Sequence, residues 1–337
     1  MELRKGILFH NRYLLKRFLG SDHFSEEGYE PLSEVWLAED IHVNHMEVAL
    51  KVYAPRRGMY FDGAELFRED IRKVSDLNHG NLLHPRHFDV FEHRPYLVLP
   101  YCERGSATNL IGAISEDEAW RFLSDVASGL AYLHEQEEPI IHKDIKPYNV
   151  LIDNKGNFLI TDFGISAKAR DTLLKGMLTV RDLIFPYMEP ERLDPMPIKA
   201  SDIWSLGATM FKLMEGHTPF GNSGGLRQYE GAKIPKLKGN WSPALKKIVK
   251  LCLLNETWDR PTAMQLVEWC EKRAKGENIL PELIKFEKKR DRPKPWKKIV
   301  WGIAACLAAI LIALIILNKG DNTEHKQSMI IFHDKIK

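Results

Sequence analysis

His142-Lys143-Asp144-Ile145-Lys146-Pro147-Tyr148-Asn149 runs directly into the apolar triplet Val150-Leu151-Ile152. A second apolar run, Phe158-Leu159-Ile160, ends in Thr161-Asp162-Phe163-Gly164. Short apolar runs bounded by polar and turn residues read as strands. Two such strands would carry Asp144, Asn149 and Asp162 to neighbouring ends. Carboxylate and amide oxygens grouped in this way suit Mg²⁺, a hard ion that takes few protein ligands and shares its shell with phosphate oxygens. The Asp-Phe-Gly triplet alone is a weak signal. The string HxDxKPxN followed by it at this distance is a strong one.

Outward from these motifs the chain changes character. Up to about residue 100, strand-like runs dominate: VWLAED, EVALKVY and PYLVLPY, with one helical stretch at Ala64–Leu77. Beyond residue 115, helical patterns take over at Glu116–Glu135, Ile203–Glu215, Ala244–Leu254 and Ala263–Lys275. A strand-rich part followed by a helix-rich part is an α+β pattern.

These strings together resemble the eukaryotic-type (Hanks-type) serine/threonine protein kinase family over roughly residues 10–272. The resemblance implies a bilobal fold, with an N-lobe over about 10–100 and a C-lobe over about 101–272. It implies ATP and Mg²⁺ as the bound groups and Ser/Thr-bearing proteins as substrates. Val48-Ala49-Leu50-Lys51 is similar to the strand motif whose lysine, here Lys51, holds the ATP phosphates. Asp144 matches the aspartate that accepts the substrate hydroxyl proton, and Asn149 and Asp162 match the metal ligands. Lys146, in the DxKPxN form, resembles the serine/threonine branch and would steady the transferred phosphate. Leu97 to Cys102 resembles the hinge, with Leu99 as gatekeeper and the backbones of Pro100 and Cys102 facing the adenine edge. Gly20, Val35, Ala49 and Leu151 complete the implied ATP pocket. Structural roles are implied for His142 and Phe163 in the core, for Asp202 beneath the catalytic loop and for a Glu191–Arg260 ion pair.

The pattern is incomplete in places. The family's glycine-rich loop lets bare amides approach the phosphates. Here Gly20 and Val35 stand fifteen residues apart, about eight more than GxGxxGxV requires. Ser33 and Glu30 fall at the later glycine positions, and Asp22, Glu26 and Glu27 make the loop acidic. Such a loop is expected to hold ATP less tightly or to fold over it differently. The N-lobe helix offers Asp70, or Glu69 one residue earlier, as ion-pair partner of Lys51. Asp70 is preferred because Val74, four residues on, is apolar as the core requires. Lys143 replaces an arginine that would bind a phosphorylated loop bidentately, so control by loop phosphorylation is expected to be weak. Thr172 and Thr179 are the candidate phosphosites, and solvated loop hydroxyls are the default reading of both. The departures keep a second reading open, a pseudokinase scaffold. A small-molecule phosphotransferase of related fold is the more distant one, and the Pro190-Glu191 and DxWSxG segments argue against it.

The whole chain has 337 residues, 48 Lys plus Arg against 46 Asp plus Glu, and a net charge of +2. That balance supplies no electrostatic footprint for nucleic acid. Its four cysteines form no CxxC pair, which argues against a zinc site or disulfide framework and fits reduced thiols in a cytosolic domain. No secretory signal is expected at residues 1–20. From Ile299 to Leu317 the sequence reads IVWGIAACLAAILIALIIL, with no charge. As a helix this spans about 28 Å, close to bilayer thickness. Lys285, Lys288, Lys289, Arg290, Arg292, Lys294, Lys297 and Lys298 precede it, opposed by Glu287 and Asp291. The positive-inside rule then puts that flank in the cytoplasm. Trp296 and Trp301 would sit at the interface, and the basic run would face lipid headgroups. The expected organisation is a kinase domain over 1–275, a basic juxtamembrane linker over 276–298, a membrane helix over 299–317 and a short outer tail over 318–337. The layout resembles bacterial membrane kinases. Small residues in the span (Gly302, Ala304, Ala305, Ala308, Ala309) would permit close helix packing in a homodimer.

Overall fold

Strand β4 (Met46–Tyr53) decides how the N-lobe is layered, because nearly every residue in it is buried. Side chains alternate across a strand. Val48, Leu50 and Val52 join a core with Phe9, Tyr13, Leu15, Trp36, Tyr96 and Val98. Ala49 and Tyr53 face the other way, into a second core with Phe67, Ile71, Leu83, Leu97 and Leu99. Lys51 shares that second face, so a cation is embedded between two apolar neighbours.

The structure is a computed structural model that describes residues 2–21, 33–56, 58, 61–163, 185–193 and 198–290. The N-lobe sheet also contains β1 (Leu8–Phe9), β2 (Tyr13–Ser21), β3 (Ser33–Asp40), β5 (His87–Phe91) and β6 (Arg94–Pro100). Its order is β1-β2-β3-β4-β6-β5, antiparallel throughout. The register sets Val35 opposite Lys51 and Ala49 opposite Leu99. Helix α1 (Phe61–Val74) lays Phe67 and Ile71 on the sheet's inner face.

The C-lobe is helical, with α2 (Glu116–His134), α3 (Lys199–Glu215), α4 (Gly225–Tyr229), α5 (Pro243–Cys252) and α6 (Ala263–Ala274). Helix α2 opens on a capping box: the Glu118 amide donates to Ser115 Oγ, and Glu118 Oε2 accepts the Ser115 amide at 3.0 Å. Thr262 and Gln265 repeat the device at α6. Caps of this kind satisfy amides that a helix start leaves unpaired. Helix α3 is buried almost all round, its polar Ser201, Asp202, Ser205 and Thr209 included. A helix buried on every side serves as the axis of its lobe. A Cβ on Gly207 would stand 2.7 Å from Cys252 Cβ, so only glycine lets α3 and α5 approach so closely.

The motif strands form a small sheet of their own, β7 (Val150–Ile152) and β8 (Phe158–Ile160), paired Val150 to Ile160. The helical stretches expected from the sequence are present, α2 and α6 within one residue of the expected ends, while α1 runs from Phe61 to Val74 instead of Ala64 to Leu77.

Residues Met1–Ile284 make one compact unit and 285–337 another. The first unit therefore runs past the expected boundary at 275. Ile279 and Leu283 are buried, Lys272 meets Glu282 at 3.0 Å, and the stretch expected as linker begins with a helix, α7 (Leu280–Arg290). Among the described residues no helix is long and apolar enough to cross a membrane. The expected span 299–317, with Trp296, Trp301, Cys306 and the tail, lies outside the described residues, as do Asp22 to Glu30 of the acidic loop, Gly164, Thr172 and Thr179.

Candidate active site

The loop that carries Asp144 is built on Asp202. This carboxylate, fully buried at the start of α3, accepts the backbone amides of His142 and Lys143, each at 2.8 Å. It also accepts His134 Nε2 at 2.8 Å from the end of α2. From the same helix the Thr209 hydroxyl donates to the Ile145 carbonyl at 3.1 Å. Lys143 adopts φ +70°, a left-handed conformation that costs a non-glycine residue of order 1 kcal/mol. Two hydrogen bonds to a buried carboxylate offset that cost.

His142 links the loop to the second motif. The Thr161 carbonyl can only accept, so His142 Nε2 donates to it at 2.8 Å. Nδ1 is then free to accept the Asp144 amide at 3.3 Å. Both bonds need the neutral Nε2–H tautomer. The ring is almost fully buried, as is Phe163. His84 meets Phe163 edge-on at 5.7 Å.

Around Asp144, Asn149 Nδ2 donates to the Asp144 carbonyl at 2.8 Å and to its Oδ2 at 2.9 Å. Lys146 Nζ lies 3.0 Å from the same Oδ2. Burial pushes the Tyr187 hydroxyl pKa up to about 12, and the negative charge of Asp144 adds to the effect. Across the cleft Lys51, 3% exposed, contacts Asp162 Oδ2 at 2.5 Å. Asp162 itself stands at φ +66°.

The residues fit a hard divalent cation. Asn149 is 1% exposed, and its Oδ1 has no hydrogen-bond partner among the described residues. Buried amide oxygens are rarely left so. The Asp162 carboxylate supplies a second oxygen of the type Mg²⁺ prefers.

A cleft of about 380 Å³ lies between the lobes. Leu19, Val35, Ala49 and Leu99 line it from the sheet side, and Leu151 from β7. Cys102 lines it after β6, and Lys51 and Asp162 also line it. Pro100 ends β6 between Leu99 and Tyr101, both of which line the cleft. Gly20 faces Tyr148 across the mouth.

On α1, Asp70 is 5% exposed on the side that buries Phe67, Ile71 and Val74, whereas Glu69 is exposed. Glu191 and Arg260 form a two-point pair at 2.6 and 2.7 Å, remote from the cleft lining. Ser201 Oγ also donates to Glu191 at 3.1 Å.

A model of the protein kinase domain matches residues 32–269. The chain belongs to the protein kinase domain family.

Several of its relatives are named serine/threonine-protein kinases. The serine/threonine-protein kinase PrkC of Bacillus subtilis (strain 168) is 30% identical over 240 residues, 68% of this chain and 36% of the relative. The serine/threonine-protein kinase dst1 of Dictyostelium discoideum is 32% identical, over 59% of this chain and 28% of the relative. The CBL-interacting serine/threonine-protein kinase 2 of Arabidopsis thaliana is 27% identical, over 74% of this chain and 53% of the relative. The kinase chain thus spans between about a quarter and a half of the length of these relatives.

Within the kinase frame, the sequence reading passed over several residues. Leu19, directly before Gly20, and Thr161, directly before Asp162, were findable from their neighbours. His134 was not, because a helix-end histidine carries no signal for a carboxylate 68 positions on. Tyr148, inside the catalytic-loop motif, lines the cleft, and its residue type carries no signal for that place.

Proposed function

We propose that the chain is a serine/threonine protein kinase that transfers the γ-phosphoryl group of ATP to a Ser or Thr hydroxyl of a protein. The observation that carries this reading is the organisation of Asp144. Asn149 and Lys146 converge on it, and its loop is clamped to α3 through Asp202.

The apolar walls Ala49, Val35 and Leu151, with Leu99 behind, take the adenine. Lys51 meets the phosphates. Asn149 and Asp162 would hold Mg²⁺, which when bound neutralises charge on the phosphates. Asp144 orients the substrate hydroxyl and receives its proton as the oxygen attacks. The bond from the γ-phosphorus to the bridging oxygen breaks, and ADP leaves. Lys146, beside Asp144, offers a cation to the phosphoryl group in transit. The presence of all these groups, with Lys51 and Asn149 buried and Asp144 and Lys146 only partly exposed, supports this reading over a pseudokinase.

The charge-free run 299–317 and its basic N-terminal flank support a single membrane span with the kinase domain on the cytoplasmic side. The partners are then protein substrates, ATP and membrane lipid, with a homodimer through the small-residue face of the span. Carbonate-resistant pelleting of the full chain, and release by deletion of 299–317, test the anchor.

The enzymatic reading is tested by Mg²⁺-dependent incorporation of labelled phosphate into the chain itself and into a general protein substrate. Asp144→Asn should lower the rate about 10²–10⁴-fold, the range for a positioned acid–base group, while nucleotide still binds. A wild-type chain that binds ATP with Mg²⁺ and transfers nothing would return the protein to the scaffold reading.

A further inference from the structure

The roof strand β2 needs something to hold it over the nucleotide. In the family the glycine-rich loop does this with bare backbone amides. In this chain Gly20 begins a longer segment that keeps none of the later glycines at the family's spacing. Two tyrosines instead approach β2 along the cleft mouth. Arg17 of β2 donates to the Tyr101 hydroxyl at 2.8 Å, fixing the strand to the segment after β6. Three residues on, Tyr148 rises from the C-lobe. A Cβ built on Gly20 would stand 3.3 Å from the Tyr148 hydroxyl oxygen and 3.8 Å from Cε2 of its ring. Arg17, Tyr101 and Tyr148 all line the cleft.

We propose that Tyr148 is a nucleotide-positioning residue, packed under Gly20 so that β2 stays closed over bound ATP where the glycine-rich loop is incomplete. The inference rests on the reading of this cleft as the ATP site.

Tyr148 sits between Pro147 and Asn149 in a 3₁₀ turn. Both neighbours are buried, so the ring is carried on a turn packed into the lobe on either side of it. A phenol is long enough to cross from one lobe to the other, and it presents an apolar face and a hydroxyl to whatever lies between them. Gly20 is the matching half. A Cβ there would stand 3.3 Å from the phenol oxygen, tighter than ordinary contact, so ring or strand would have to give by a few tenths of an ångström.

The test is a double-mutant cycle on the full chain, read as the ATP dissociation constant with Mg²⁺ by calorimetry and as KM and kcat for phosphotransfer. Tyr148→Ala should weaken ATP binding about tenfold while kcat changes less than about threefold, because the ring is placed to hold nucleotide and not the transferred proton. Gly20→Ala should weaken binding about fivefold in the native background and distinctly less beside Tyr148→Ala, since the methyl then meets no phenol and only the strain of alanine at φ +157° remains. Tyr148→Phe keeps the ring and should fall between native and alanine. It also carries the cycle if the alanine variant melts early. Strictly additive effects, or unchanged binding, would overturn the proposal. Tighter binding in Tyr148→Ala would do so too, by showing the ring to be an obstruction. The calorimetric arm needs no catalysis. Coupled binding effects in a chain that transfers no phosphate would uphold Tyr148 and refute the enzyme reading, and additive effects in an active chain would do the reverse.

Discussion

Asp202 accepts the backbone amide of Lys143 at 2.8 Å, and Lys143 is held there at φ +70°. A helix axis thereby dictates the backbone of the loop that presents Asp144. Asp202→Ala would leave the amides of His142 and Lys143 buried without an acceptor, at about 1–3 kcal/mol each. A stability loss of about 3–5 kcal/mol is expected in urea unfolding, with phosphotransfer lost even under conditions where the variant is folded. Retention of near-native activity by folded Asp202→Ala would show that the loop holds its shape without this carboxylate.

Asn149 separates metal binding from loop geometry. Its Nδ2 serves Asp144 while its Oδ1 has no partner among the described residues. Asn149→Asp keeps an oxygen for the cation but loses the donor to Asp144. Asn149→Ala loses both. The aspartate variant should therefore retain Mg²⁺-dependent ATP binding within a fewfold of native while losing kcat, and the alanine variant should lose both. Calorimetric titrations of ATP with Mg²⁺ and with EDTA distinguish the two. Equal ATP affinity with and without Mg²⁺ in the native chain would remove the metal from this position.

Arg260 is a structural cation. Its side chain is 0% exposed, it grips Glu191 at two points, and it donates to the carbonyls of Leu254, Ala200 and Asn255. Removing one partner of a buried pair costs about 3–5 kcal/mol. Arg260→Ala should lower Tm by about 5–8 °C, on the scaling for domains of this size. Glu191, at 20% exposure, is partly reached by water, so Glu191→Gln should cost less. A change in ATP affinity without a change in Tm would contradict the structural role.

How much of this was legible beforehand depended on whether the signal was local. Lys51, Asp144, Asn149 and Asp162 stood in short strings whose chemistry reads off the residues. The strand-then-helix order was equally local. The pairing of Lys51 with Asp162 was not, because it spans 111 positions and depends on how the lobes close. The choice between Asp70 and Glu69 rested on the position of Val74, and the buried face of α1 carries Asp70. The extension through Ile279 and Leu283 was hidden because Lys, Glu and Pro around them imitate a linker. Tyr148 went unassigned because nothing nearby in sequence discloses Gly20 above it.

Stability should fall as pH drops through the histidine range. Burial holds the imidazole pKa of both His79 and His84 below the ordinary value of 6.5, and His79 adds to the effect on His84. The geometry agrees at His79, whose Nδ1 accepts the Asn81 amide at 3.1 Å and so must carry no proton. With folded values depressed, the unfolded chain binds more protons once the pH falls below about 6.5, and the native state loses ground. Asp125, raised by burial, works in the opposite sense, but in the carboxylate range. Unfolding free energies between pH 7.5 and 5.5 should decline, and His79→Gln combined with His84→Leu should flatten the slope. An unchanged slope in the double variant would assign the effect to other groups.

The cysteines should report occupancy of the cleft. Burial pushes the thiol pKa values of Cys252 and Cys270 up to about 12. Neither should react with iodoacetamide at pH 7.5 before unfolding, because the thiolate is the nucleophile. Cys102 is also raised by burial, with Asp153 adding to it, but it is only partly covered and lines the cleft. It should label slowly, and more slowly still with saturating ATP and Mg²⁺. Peptide-level mass spectrometry separates it from Cys306. If Cys102 labels at the same rate with and without nucleotide, adenine does not rest against this wall, and the hinge assignment built on Leu99, Pro100 and Cys102 fails with it.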